Sequence, residues 1–265
     1  ASLCLDAVRH MTLDTIALLA VAAFSAGVLN AIAGGGSFLT FPALVFAGVP
    51  PISANATSAL AVSPGYAGSI FGFKQELTAL PRRLLLQEFA VASAGGLIGA
   101  LLLLVTPARV FSGLIPWLLM FATVLFAIGP RLTARNAARG KPTVEATHLR
   151  GARLFGLLGV CIYGGYFNGG LGILLMALYG LVGETRLHTV NALKNVNSLV
   201  LSLLSVAAFV WAGAVAWPEG LLMMVCATIG GFSGAKLAKR MPIQWVRTVV
   251  IATGVVMTLV FFFRN

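Results

Sequence analysis

Over residues 13–49 the chain is apolar almost without interruption, Asp14 being its one charge, and uncharged runs of comparable character return along the whole sequence. A run of about 20 such residues crosses roughly 30 Å of hydrocarbon as a helix. The pattern predicts an all-α polytopic membrane protein, a single transmembrane domain over residues 1–265. Composition agrees. Of the 265 residues 59% are apolar and 9% charged, with a mean hydropathy of +0.97, whereas a soluble domain carries about 25% charged residues. Candidate spans fall at about 13–32, 36–48, 54–73, 84–105 and 110–129, then at about 154–167, 170–182, 188–212, 220–236 and 246–263.

A formal charge of +11 would suit nucleic acid if it formed a patch. The basic residues instead occupy short loops between spans, as in cytoplasmic loops of membrane proteins, so no nucleic-acid partner is expected. Cys4, Cys161 and Cys226 show no metal-ligand or CxxC spacing and read as packing residues. No signal peptide with a basic start and a small-residue cleavage site precedes the first span, so residue 13 onward reads as the first helix itself.

The two sets of spans are related. GGLIGALLLLVTPARVF from Gly95 aligns with GGFSGAKLAKRMPIQWV from Gly230 at an offset of 135 residues. At that offset Gly34, Gly35 and Gly48 meet Gly169, Gly170 and Gly183, and one residue further Asn55-Ala56 meets Asn191-Ala192. Several matches in order argue for a duplicated unit: repeat 1 at about 13–129, a linker at about 130–153 and repeat 2 at about 154–263. If the loop at 131–153 is cytoplasmic, that side holds 14 of the 18 basic residues, against Arg9, Arg109 and Arg264 outside and Lys194 within a span. This bias sets the orientation, with both termini periplasmic. Five segments per copy then make the second copy enter the membrane upside down. Inverted repeats with broken helices are a transporter signature, and the site lies near the midplane where the breaks meet. The small-xxx-small pairs Gly68 to Gly72, Gly95 to Gly99 and Gly230 to Gly234 read as close helix packing.

Two features carry chemistry. The stretch NAIAGGGSFLT, residues 30–40, puts three glycines inside an apolar run too long for one span, and YGGYFNGGLGILL from Tyr163 repeats the pattern. Whether each pair crosses fully or re-enters, non-helical backbone at that depth must line a cavity or be buried in protein. A helix restarting there offers backbone N–H groups and the positive end of its dipole to an anion. The second feature is TVNALKNVNSLVLSLLS from Thr189, where Asn191, Lys194, Asn195, Ser198, Ser202 and Ser205 share one helical face. A lysine at the centre of a span costs about 2.5–3.5 kcal/mol on insertion scales and marks a functional site, unless it snorkels to the interface. Its repeat mate is Ser58, beside Asn55 and Thr57. One cation among neutral donors suits a small oxyanion.

The seven acidic residues, Asp6, Asp14, Glu76, Glu88, Glu145, Glu184 and Glu219, all read as lying at loops or span ends. Among them Glu88, with His188, is the best titrating candidate, but both read as simple interfacial residues. No cofactor or metal is implied. The absence of HExxH and GxSxG, with His10, His148 and His188 each near a loop, argues against a membrane-embedded enzyme; an anion channel could use the same residues. An outgoing anion needs no coupling ion, since each negative charge gains about 2.3 kcal/mol per 100 mV when the interior is negative.

The residues AGVLNAIAGGGSFLTFPALVFAGVPPISANATSA, with FNGGLG and VNALKNVNSL, resemble the two signatures of the sulfite exporter TauE/SafE family of bacterial membrane permeases. The resemblance covers about residues 24–262. It implies export of small sulfur-containing anions, sulfite or organosulfonates such as sulfoacetate, across the bacterial inner membrane. Carried onto this chain, the motif positions are Asn30, Gly34, Gly35, Gly36, Ser37, Asn55, Thr57, Asn168, Gly169, Gly170, Asn191, Lys194 and Asn195, to which the repeat adds Ser58.

Overall fold

The computed structural model describes residues 11–32, 34–138, 149–184, 186–237 and 243–264. Cys4, Asp6, Arg9, His10, Glu145 and His148 lie outside the described residues, as does the centre of the linker. The described residues are all helical, with no strand. In chain order the helices are α1 (Leu13–Ile32), α2 (Ser37–Phe46), α3 (Pro51–Gly72), α4 (Lys74–Thr78), α5 (Arg82–Val105) and α6 (Ala108–Ala138). They are followed by α7 (Leu149–Tyr166), α8 (Leu171–Leu181), α9 (Leu187–Trp211), α10 (Trp217–Leu237) and α11 (Ile243–Arg264). The apolar runs locate these elements to within a few residues, save that α6 and α7 extend into the basic linker. The short α4 is a single polar turn that hydropathy does not reveal.

Four stretches, Leu13–Asn30, Arg82–Val105, Ala108–Gly129 and His188–Trp211, are long and apolar enough to cross a membrane. Their outer faces expose Leu101, Leu102, Trp117, Phe121 and Val124, a surface that water would not tolerate over such an area and lipid would. By contrast α2 and α8 have 10 and 11 residues. At 1.5 Å per residue each is about 15 Å long, roughly half a hydrocarbon core. Both are nearly wholly buried and sit inside the bundle.

Glycine sets where these short helices stop. Gly48 and Gly183 follow α2 and α8 with φ of 89° each, and the next N–H reaches back five residues, Val49 to the Leu44 carbonyl and Glu184 to that of Tyr179. This left-handed closure satisfies carbonyls that the helix end would orphan.

Packing exchanges elements between the halves. α1 lies chiefly against α10, and α5 chiefly against α7; α9 contacts α5 and α3, while α10 contacts α3. The α5–α7 crossing is a backbone-to-backbone approach at Gly96, Gly99 and Gly165, with Cys161 buried beside Gly95. Small residues allow that proximity, and the gain is dispersion and packing. A methyl on Gly165 would run into the Gly96 backbone, which has no side chain to move aside. Gly165→Ala is therefore expected to cost about 1–3 kcal/mol, read as a lower unfolding temperature in detergent. Gly113→Ala, where an added Cβ meets nothing within 4 Å, should leave that temperature unchanged.

Candidate functional site

Helix α1 ends at Ile32 and α2 begins at Ser37; α7 ends at Tyr166 and α8 begins at Leu171. In the first link Gly34 and Gly35 take φ of 68° and 130°, and in the second Gly170 takes 80°. A side chain would be strained at these angles, so glycine is what lets the chain turn there. Asn30 holds the first link, its Oδ1 accepting from the Gly35 N–H at 3.4 Å; its side chain also hydrogen-bonds with Tyr66.

The second link is held from the other half of the chain. Asn55 Nδ2 donates to the Tyr166 carbonyl at 3.2 Å, and Asn55 Oδ1 accepts from the Asn168 N–H at 3.1 Å. The Tyr163 hydroxyl lies 3.1 Å from the carbonyls of both Gly169 and Leu118. Asn55→Ala would strand two backbone groups at a buried bend, so a loss of about 1–3 kcal/mol is expected for each group left unpaired. Thermal unfolding in detergent checks it.

The two links converge on Lys194. A Cβ placed on Gly34 would lie 3.6 Å from Lys194 Nζ, and one on Gly172 would lie 3.4 Å from Gly34 Cα and 3.5 Å from Lys194 Cδ. Gly170 sits against the ring of Phe38, the second residue of α2. The starts of α2 and α8 thus meet with the lysine between them. In α2 the N–H groups of Phe38, Leu39 and Thr40 return to the carbonyls of Gly35 and Gly36, and in α8 those of Ile173 and Leu174 return to Gly170. Among the described residues the N–H groups of Gly36, Ser37 and Gly172 have no such partner. Two helix-start dipoles and one ammonium make a local excess of positive potential.

Lys194 is 3% exposed, which rules out the snorkelling account of this residue. The ion pairs among the described residues are Arg153 with Glu88 and Arg186 with Glu184, neither involving Lys194. A buried cation without a carboxylate partner is costly unless something else compensates it. Ser37, Asn168 and Asn195 are also buried, and Asn191 is half-buried. Both amide atoms of Asn168, and the hydroxyls of Ser198 and Ser202 further along α9, are buried without a hydrogen-bond partner.

Two other motif residues have hydrogen-bond partners of their own. The Thr57 hydroxyl accepts from the Ala216 N–H at 2.9 Å and so holds the turn before α10. Ser58 pairs with Thr40 of α2 at 2.6 Å. Gly172, which the pattern of Tyr163 onward contained without being singled out as a site residue, contributes the closest approach to Gly34.

Glu88 departs from the sequence expectation. It is not an interfacial helix-end residue: it lies in the second turn of α5 with no exposed surface, covered by α7, α8 and α9. Position along the sequence gave its distance from a helix end, but neighbours from the second half of the chain decide its burial. His188 does lie at a helix start, exposed, with its ring 6.2 Å from that of Phe73. The three cysteine expectations reduce to two here, Cys161 buried and Cys226 half-buried, both free thiols. Among the described residues no group of His, Cys, Asp and Glu could hold a metal.

An all-helical, multi-pass bundle with short buried helices whose starts meet at a lysine that has no carboxylate partner among the described residues has the design of a small-solute transporter. The comparisons agree with that class. The chain belongs to the sulfite exporter TauE/SafE family, whose pattern matches residues 19–261. It is 30% identical over 247 residues to the probable membrane transporter protein ORF9 of Sinorhizobium sp, covering 88% of this chain and 85% of that one. A probable membrane transporter protein of Haemophilus influenzae is 28% identical, with 93% and 94% covered. The probable membrane transporter protein YfcA of Escherichia coli K12 is 27% identical, with 89% and 85% covered. No solved structure matches the chain.

Proposed function

We propose that this membrane transporter carries small sulfur-containing anions, sulfite or an organosulfonate, outward across the bacterial inner membrane. The observation that carries the reading is the buried Lys194 ammonium, without a carboxylate partner among the described residues, beside the Gly34 and Gly172 backbone where two short helices begin. In this proposal the anion sits against Lys194 and accepts from the N–H groups of Gly36, Ser37 and Gly172. Asn30 and Asn55 shape the two links; Asn168, Asn191, Asn195 and the Ser37 hydroxyl supply neutral donors. The sign follows from Coulomb attraction in a medium of low dielectric, and the size from glycine, which leaves room only close to the backbone. Sulfur as the central atom rests on the family alone.

We read the two halves as inverted repeats. The reciprocal packing supports this: α1 on α10 and α7 on α5 are equivalent pairs under the 135-residue offset, as are α3 on α10 and α9 on α5. Under the same reading both termini face the periplasm, and alternating access rocks one repeat on the other about the fixed site.

The test is efflux of sulfite from proteoliposomes. Flux that saturates with sulfite and falls far lower with chloride supports the proposal. Current that grows without saturation indicates an anion channel, and transport of cations alone overturns the electrostatic reading.

A further inference from the structure

A second polar centre lies inside the bundle, apart from Lys194. Arg153 Nε donates to Glu88 Oε1 at 2.6 Å, and Arg153 Nη2 lies 2.6 Å from the same oxygen. Tyr179 Oη donates to Glu88 Oε2 at 3.0 Å, and Asn197 Nδ2 donates to that oxygen at 2.8 Å and to Tyr179 Oη at 2.6 Å. The Arg153 guanidinium stands 5.2 Å from the centre of the Tyr179 ring. The carboxylate comes from α5, and its partners from α7, α8 and α9. A buried ion pair gives little net stability over apolar residues of the same shape, and an ionisable group inside a membrane protein marks function by default.

The placement of this centre is what gives it a role. Tyr179 stands two turns along α8 from Gly172, and Asn197 one turn along α9 from Lys194. One carboxylate of α5 thus pins both helices that carry the anion site.

We propose that Glu88 is a proton-binding site that links proton movement to anion transport by fastening and releasing α8 and α9. The inference rests on the anion site proposed above. Ionised, Glu88 accepts from all three partners, as seen. When a proton from water binds Oε2, that oxygen becomes a donor and no longer accepts from both Tyr179 and Asn197. If the Asn197 amide turns over, its Oδ1, buried without a partner, takes the place of Nδ2 and accepts from the new O–H. Arg153 meanwhile loses its countercharge. The proton leaves again to water when the site faces the other side, and the pins re-form. The titratable and charged groups facing Glu88 are Arg153 and Cys161 of α7 and Tyr179 of α8. α9 presents Asn197, which does not titrate, with Lys194 a turn away.

The test uses the full chain in proteoliposomes with the membrane potential clamped by potassium and valinomycin, and radiolabelled sulfite and sulfoacetate run in parallel. Counterflow exchange reads the anion site, and accumulation driven by an imposed pH gradient reads the coupling. Wild type is expected to show both. Glu88→Gln, and Glu88→Gln with Arg153→Gln so that neither charge is stranded, should keep exchange and lose the response to the gradient. A carboxylic-acid band in the infrared difference spectrum on acidification, missing in Glu88→Gln, is the accompanying signature. Wild-type exchange with no response to the gradient overturns the coupling and leaves the anion site standing, as does an undiminished response in the double variant. Absence of exchange of either anion in wild type overturns the anion reading and this inference with it.

Discussion

Lys194→Ala is expected to weaken sulfite binding by about a hundredfold or more while leaving the protein folded. Truncating one partner of a buried, hydrogen-bonded charge pair costs about 2–5 kcal/mol, and each 1.4 kcal/mol is tenfold in Kd. Lys194 is 3% exposed, so little solvent screens its charge and the lost interaction falls near the middle of that range or above it. Folding should survive, because the variant removes a buried cation that has no carboxylate partner among the described residues. The unfolding temperature of the empty protein is expected to stay level or rise. Lys194→Arg keeps the charge but replaces a compact ammonium by a wide planar fork. With Gly34 and Gly172 so close, it is expected to bind weakly too. Titration calorimetry with sulfite, paired with thermal unfolding, separates the two effects. Equal affinity in wild type and Lys194→Ala would contradict the site.

The opposite pattern is expected at the second centre. Arg153→Met alone leaves the Glu88 carboxylate buried without its countercharge, which costs about 3–5 kcal/mol, whereas removing both charges together is near neutral. Arg153→Met should therefore lower the unfolding temperature and expression sharply, and Arg153→Met with Glu88→Gln should recover most of both. The double-mutant cycle gives the coupling directly. Additive losses would show that the two side chains do not stabilise one another.

Helix positions could be read from the sequence because hydropathy is a local property: the runs beginning near residues 13, 84 and 188 become α1, α5 and α9 with ends shifted by three residues or fewer. The links at Gly34 and Gly170 were legible for a similar reason, since glycine runs in apolar sequence have few other uses. The burial of Lys194 is a different matter: an apolar run marks the residue as unusual, and packing from the rest of the chain leaves it 3% exposed. What escaped was whatever depends on a neighbour distant in sequence. The sequence places Thr57 beside Asn55 but does not show that its hydroxyl accepts from the Ala216 N–H, 159 residues away. Glu88 looked superficial until Tyr179 and Asn197, 91 and 109 residues on, closed over it. Gly172 differs from other glycines of its stretch only in facing Gly34 from the other half of the chain.

The most direct measurement is the position of the bound anion. Selenite replaces the sulfur of sulfite with a stronger anomalous scatterer in an oxyanion of the same pyramidal shape, so an anomalous difference map phased from the protein marks its position directly. The expected result is one strong peak within hydrogen-bond reach of Lys194 Nζ, between the Gly34 and Gly172 backbones, that disappears in Lys194→Ala. A peak at another place in the bundle, with the space beside Lys194 empty, would contradict the site on which this account stands.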